Sequence, residues 1–350
     1  MEIGGNKLDT KAFTMMCNQF SVILKAGVPI ARTVQLIASK TSDKPLNRML
    51  TKVGRDVEAG RSISAAFEEH GGALLPTTFI ESIRAGEESG GLATSFESMS
   101  EHYTKQVQMA GKVRGALIYP AFVLVVAVVV VIVLMVFVVP EFTRTFVELG
   151  IELPWMTRAL IAISNFFAKY YIVIFVTMIV IFLAYKLYGR TEDGRLNLAK
   201  LQLKLPVLGN IATLSAASQF SNTLTMMLGA GLPIVRSLSI TARVIENYYI
   251  SLEVGKMAGR IEEGRTIGDC MRESGCLPDI LTDMTAVGEE TGELASTLTL
   301  IAAYYDFELE QATADALAKL EPAILVVLAG VAGFIVIGMY SAMFTMYAAM

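Results

Sequence analysis

Residues 86–92 read Gly86-Glu87-Glu88-Ser89-Gly90-Gly91-Leu92, and residues 288–294 read Gly288-Glu289-Glu290-Thr291-Gly292-Glu293-Leu294. Three other blocks repeat in the same order. Gly27-Val28-Pro29-Ile30-Ala31-Arg32 returns as Gly231-Leu232-Pro233-Ile234-Val235-Arg236 (27 to 231, an offset of 204). Glu58-Ala59-Gly60-Arg61-Ser62-Ile63 returns as Glu262-Glu263-Gly264-Arg265-Thr266-Ile267 at that same offset, and Pro120-Ala121 as Pro322-Ala323 (120 to 322, an offset of 202). Four ordered matches with one two-residue slip mark a duplicated unit.

The unit is helical. Beyond the Gly-Glu-Glu block the apolar positions are Leu92, Phe96, Met99, Tyr103, Val107 and Ala110, and in the second copy Leu294, Leu298, Ile301, Tyr305, Leu309 and Ala312. Steps of three and four keep one face of an α-helix apolar. Gly27 and Gly231 suit helix C-termini, with Pro29 and Pro233 opening the next helix. Gly60-Arg61-Ser62 and Gly264-Arg265-Thr266 read as a C-cap followed by an N-cap. Gly90 and Gly292 close a further helix. The punctuation predicts about six short helices per copy, packed as a bundle.

Each copy leads into an uncharged run. Ala116–Val139 carries no charged residue and is closed by Pro140-Glu141, and Pro322–Met350 is likewise uncharged. In hydrocarbon only a helix or a closed barrel satisfies its own backbone groups, and about 20 apolar residues suffice to cross. Two crossings would put the two copies in different compartments. A shorter run, Tyr170–Tyr185, flanked by Lys169 and Lys186 whose stems can snorkel, supplies a third. Basic residues decide direction: Lys105, Lys112 and Arg114 precede the first run, Lys186, Arg190, Arg195, Lys200 and Lys204 follow the second, and Lys319 precedes the third. The expected architecture is an all-α membrane protein with two repeated cytoplasmic six-helix bundles and three transmembrane helices. Its segments are 1–115 (first bundle), 116–139 (span), 140–165 (short external connection), 166–188 (span), 189–321 (second bundle) and 322–350 (span). The N-terminus is expected in the cytoplasm, with no apolar leader in Met1–Thr10, and the C-terminus outside.

Composition agrees. Of 350 residues 53% are hydrophobic and 18% charged, where a soluble domain is about a quarter charged. A net charge of −4 argues against nucleic acid as a partner. Three cysteines (Cys17, Cys270, Cys276) and two histidines (His70, His102) show no zinc-ligand spacing, so no metal and no cofactor is expected. Neither a phosphate loop nor a nucleophile elbow occurs, so no catalytic residue is expected.

Taken together, the Gly-x-Pro-Ile, Glu-x-Gly-Arg-Ser/Thr-Ile and Gly-Glu-Glu-Ser/Thr-Gly-x-Leu blocks, each copy followed by a proline-bearing span, resemble the secretion-pathway protein F family. Its members are inner-membrane platform proteins of type II secretion systems and type IV pili. The resemblance covers about Phe13 to Met350. It implies a non-enzymatic platform in a bacterial inner membrane that couples a hexameric cytoplasmic ATPase to the insertion of pilins or pseudopilins into a growing fibre. It also implies other inner-membrane assembly proteins and a homo-oligomer as partners. Longer members carry residues ahead of the first domain; the brief start of this chain points to the pilus branch.

The Gly-Glu-Glu blocks are the candidate partner-binding residues: Glu87, Glu88, Gly90, Leu92 and Glu289, Glu290, Gly292, Leu294. The plain alternative is helix termination with solvated acids. Against it, carboxylates near a helix C-terminus oppose the dipole, which suggests a basic partner or a basic residue of the other copy. Two carboxylates do not fill a Ca²⁺ shell. Gly27, Pro29, Gly60, Arg61, Gly231, Pro233, Gly264, Arg265, Pro120 and Pro322 read as structural. The two prolines of the uncharged runs start or bend their span helices, or act as hinges. Ala329 and Gly333 form a small-xxx-small pair suited to packing on another helix. A small transporter or channel subunit is the competing function; none of the three runs has the internal charge such a protein uses. A membrane hydrolase would need a nucleophile with a base in reach, which two motif-free histidines do not supply.

Overall fold

The computed structural model describes residues 9–72, 74–138, 141, 144 and 155–349. Pro140 and most of the expected external connection lie outside them. Among the described residues every regular element is helical. The first half holds α1 (Thr10–Lys25), α2 (Ile30–Lys40), α3 (Lys44–Glu58), α4 (Ile63–Gly71), α5 (Thr77–Ser89) and α6 (Leu92–Val133), followed by a π-helical turn, Leu134–Val138. Then come α7 (Trp155–Tyr188) and α8 (Glu192–Lys204). The last six are α9 (Leu208–Gly229), α10 (Ile234–Val244), α11 (Tyr248–Glu262), α12 (Ile267–Ser274), α13 (Asp279–Thr291) and α14 (Leu294–Ala349).

Helix bounds recur with the sequence. α2 and α10 start at Ile30 and Ile234, α3 and α11 at Lys44 and Tyr248, and α4 and α12 at Ile63 and Ile267, all at the offset of the first two sequence blocks. α5 and α13 start at Thr77 and Asp279, and α6 and α14 at Leu92 and Leu294, at the smaller offset of the Gly-Glu-Glu block. Local chemistry sets these ends. Gly27, Gly60, Gly231 and Gly264 all have φ between +79° and +89°, a region a Cβ disfavours, which is why glycine follows each helix there. Asp43 and Asn247 cap α3 and α11 by accepting from Leu46 and Ile250 N–H. Ser62 and Thr266 do the same for α4 and α12.

The two cores are filled differently. The first is aromatic: Phe20 stacks on Phe96 with centroids 4.3 Å apart, and Phe67 meets Phe79 edge-on at 5.1 Å. At the corresponding places the second has Leu224, Leu298, Met271 and Leu281, all fully buried. Hydrophobic cores accept such exchange when the total volume is kept.

One compact unit contains residues 1–111 with 196–312, and a second contains 112–195 with 313–350. Among the described residues two helices, α6 and α14, are long and apolar enough to cross a membrane. Neither of these two expected spans is a separate helix: each is the continuation of a helix that starts well before it, at Leu92 or Leu294. Pro120 and Pro322 therefore do not start helices. Each lies deep inside one, Pro120 within Leu92–Val133 and Pro322 within Leu294–Ala349, where its ring removes one backbone hydrogen bond. α7 starts at Trp155, so residues 155–165 of the expected connection belong to the same helix as the expected 166–188 segment. Its described apolar stretch is Val176–Tyr188. Among the described residues the small pair of α14 has no packing partner: Ala329 is exposed, and a Cβ at Gly333 would meet no atom within 4 Å.

Candidate functional site

The two carboxylates of each Gly-Glu-Glu block part company. They sit in the last turn of α5 and of α13, and neighbouring residues of a helix point about 100° apart. Glu87 turns inward to the start of α4. Its carboxylate accepts from Ile63 N–H (2.8 Å), Ser64 N–H (3.1 Å) and the Ser64 hydroxyl (2.6 Å). Glu289 does the same at α12, accepting from Ile267 N–H (2.9 Å) and Gly268 N–H (3.1 Å). These are orphan donors of a first turn, and a negative charge there is favoured by the helix dipole. Each acid caps the start of the preceding helix, a use that differs from both solvated acids and a partner's basic residues. Glu88 and Glu290 are not used in this way; both are exposed at the surface.

The rest of the block serves this geometry. Gly90 and Gly292 adopt φ +77° and end α5 and α13. Leu92 and Leu294 lie against the two cores. Gly86 is where α5 touches α6: a Cβ there would overlap Ser95 Oγ, and one at Gly288 would lie 3.0 Å from Thr297 Cβ. Arg61 pairs with Asp56 (3.0 Å) and Glu69 (2.5 Å), and Arg265 with Glu273 (2.7 Å). Such exposed pairs hold a turn loosely and contribute little.

Among the described residues, parts of the two copies meet beside α5. α5 lies against the end of α9, the following turn and α10. Glu88 there lines a cleft of about 240 Å³ together with Glu81, Arg84, Gly231, Pro233 and Arg236. Arg236 Nη2 is 2.6 Å from Glu81 Oε2. Beneath it Ala85, Met227, Leu232 and Ile240 form a small buried apolar patch. A second link joins α6 to α14. Asp306 accepts from Lys105 (2.8 Å) and also from Ser218 (2.6 Å) and Asn222 (2.8 Å) of α9. Glu290, Gly27 and Pro29 are not part of this cleft's lining. Glu81, Arg84, Arg236 and Asp306 were not singled out by the repeat as site residues. Asp306 has Thr104 at its counterpart position, so no motif marks it.

Among the described residues no three His, Cys, Asp or Glu side chains are grouped to hold a metal ion. Cys17 and Cys270 are buried free thiols. The cleft has acids and arginines on its walls and no nucleophile paired with a base.

Comparison with known proteins follows the same halves. The family described as type II secretion system (T2SS), protein F, matches residues 16–140 and again residues 220–342. The type IV pilus assembly protein PilC of Thermus thermophilus is 31% identical over 335 residues, covering 95% of this chain and 82% of that protein. The type IV pilus assembly protein TapC of Aeromonas hydrophila is 30% identical over 342 residues, covering 97% of this chain and 83% of its own length. A type II secretion system protein F from Pseudomonas aeruginosa is 26% identical over 334 residues, covering 94% and 81%.

Proposed function

Because this chain belongs to the type II secretion system protein F family, we propose that it is a non-catalytic platform of a bacterial inner membrane, on which a type IV pilus or type II secretion fibre is assembled. In this reading a cytoplasmic hexameric ATPase acts on the two bundles, and the platform passes that work to pilin subunits lying in the bilayer. The higher identities to pilus assembly proteins favour the pilus branch.

One observation carries the coupling. In each half a single helix holds core residues of a bundle at one end and the uncharged run at the other. α6 buries Phe96, Met99 and Tyr103 and then runs on through Val133, and α14 buries Leu298, Ile301 and Tyr305 and runs on to Ala349. A helix is stiff, because backbone hydrogen bonds tie each turn to the next. A displacement of the bundle core is thus carried along the helix, with Pro120 and Pro322 as the points of easiest bending. The α7 helix supplies the third crossing, so that both bundles face the cytoplasm and the C-terminus lies outside.

Glu88 and Glu290 are the acids left for a basic partner surface, since Glu87 and Glu289 are spent on helix ends. The test is affinity purification of the full chain from membranes, with the ATPase of the same assembly system as the readout. Glu88→Lys with Glu290→Lys is expected to cut both ATPase recovery and fibre formation, with membrane levels unchanged. Undiminished recovery of the ATPase would remove these acids from the contact. Failure of the wild-type chain to retain any ATPase, with fibres still forming, would remove the coupling itself.

A further inference from the structure

The contact between the two halves is not symmetric. It joins an α5-type surface of the first copy to an α1–α2-type surface of the second, namely the end of α9, the turn and α10. The chain has two surfaces of each type and uses one of each internally. One of each is left over: α13 in the second copy, and α1–α2 in the first. We propose that these two join head to tail between successive copies of this chain, repeating between molecules the contact made within one.

The leftover surfaces keep the chemistry of the used ones. The internal patch residues Met227, Leu232 and Ile240 correspond to Ile23, Val28 and Leu36, and Ala85 corresponds to Val287. All are apolar, yet the internal set is buried while Val287 is 49% exposed and the other three are only half-buried. Met226, which packs on the first core, corresponds to Val22, which is 60% exposed. Volume is compensated: Ala85 to Val287 is an enlargement, and Met226 to Val22 and Leu232 to Val28 are reductions, as a conserved fit requires.

The charges also correspond. Arg236 and Glu81 are matched by Arg32 and Asp283, so the ion pair across the internal contact has its two halves ready on the leftover surfaces. Both have only loose local partners. Arg32 is 3.5 Å from Gln35 Oε1, and Asp283, with its side chain 70% exposed, is 3.7 Å from Arg272. An exposed pair of that length is exchanged for an interfacial one at little cost. A contact of this kind between unlike surfaces is heterologous, and repeats into a ring or an open row rather than stopping at a two-fold dimer.

The contact does not depend on which machine the platform serves. The test uses the full chain in membranes with Cys276→Ser, leaving Cys17 and Cys270 buried, and carrying both Arg32→Cys and Asp283→Cys. A short bismaleimide is expected to give a ladder of dimer, trimer and higher species. Chains with one of the two cysteines are expected to give no product alone and a dimer when mixed. Without cross-linker cysteines, Arg32→Asp is expected to lower the amount of higher oligomers by about tenfold, roughly the effect of one lost interfacial charge pair, and adding Asp283→Arg to restore it. A product from Arg32→Cys alone, a ladder ending at dimer, no ladder at all, or oligomers indifferent to Arg32→Asp would each overturn the proposal. Both positions are exposed, so neither change disturbs a core.

Discussion

The Glu87 carboxylate accepts the backbone N–H of Ile63 at 2.8 Å, far back along the chain, and Glu289 holds Ile267 in the same way at 2.9 Å. The acids that oppose the dipole at the end of their own helix are thereby used at the start of another, where the dipole favours them. A motif that reads as a surface signal is, for one of its two carboxylates, an internal cap.

Glu87→Gln and Glu289→Gln should each destabilise their bundle by ~1–3 kcal/mol, the cost of weakening a charged acceptor for partly buried donors. Glu88→Gln, one residue away, should change stability by less than ~0.5 kcal/mol. Thermal unfolding of the detergent-solubilised full chain separates them; equal losses at Glu87 and Glu88 would discard the cap.

Gly86→Ala should cost ~1–3 kcal/mol, because its Cβ would overlap the Ser95 side chain and force α5 from α6. Gly288→Ala should cost less, its nearest atom being 3.0 Å away. Gly111→Ala, in open space within α6, should be neutral or stabilising by up to ~1 kcal/mol. The same thermal scan orders the three.

Asp306→Ala removes the acceptor of three side chains, two of them partly buried, and should loosen the link between α6 and α14 by more than about 2 kcal/mol. Lys105→Ala removes only a 60% exposed cation and should cost under ~1 kcal/mol. Limited proteolysis of the two variants should show earlier cleavage for Asp306→Ala; identical digestion patterns would contradict the ranking.

Burial lowers the His102 pKa from its ordinary 6.5, opposed in part by Asp306 and assisted by Lys105. A folded pKa below the unfolded one means that the unfolded chain binds the proton first. This contribution to stability is therefore complete above about pH 6.5 and is lost as the pH falls beneath it, levelling off below the folded pKa. A His102→Gln chain should show a shallower loss of stability between neutral and mildly acid pH, measured by denaturant midpoints. An unchanged slope would place the pH dependence elsewhere.

Lys40→Cys and Glu262→Cys, exposed on the first and second copy, should both react with a membrane-impermeant maleimide only after the inner membrane is opened. Labelling of one in intact spheroplasts and not of the other would separate the copies across the bilayer and remove the third crossing.

Much of this protein is legible along the chain. Helix ends follow from Gly27, Gly60, Gly90 and their counterparts, because a positive φ and a cap are settled by residues within one turn of each other. The duplication and the apolar runs are equally local. What the chain order could not decide is which side of a helix meets which other element. Glu87 and Glu88 are chemically identical neighbours, and only the approach of α4 makes one a cap and leaves the other at the surface. Glu81 and Arg236 stand far apart in the chain, and their counterparts Asp283 and Arg32 have the same charges without meeting. Contact between distant elements depends on how two backbones dock, and identical local patterns dock once here and leave a second pair of surfaces open.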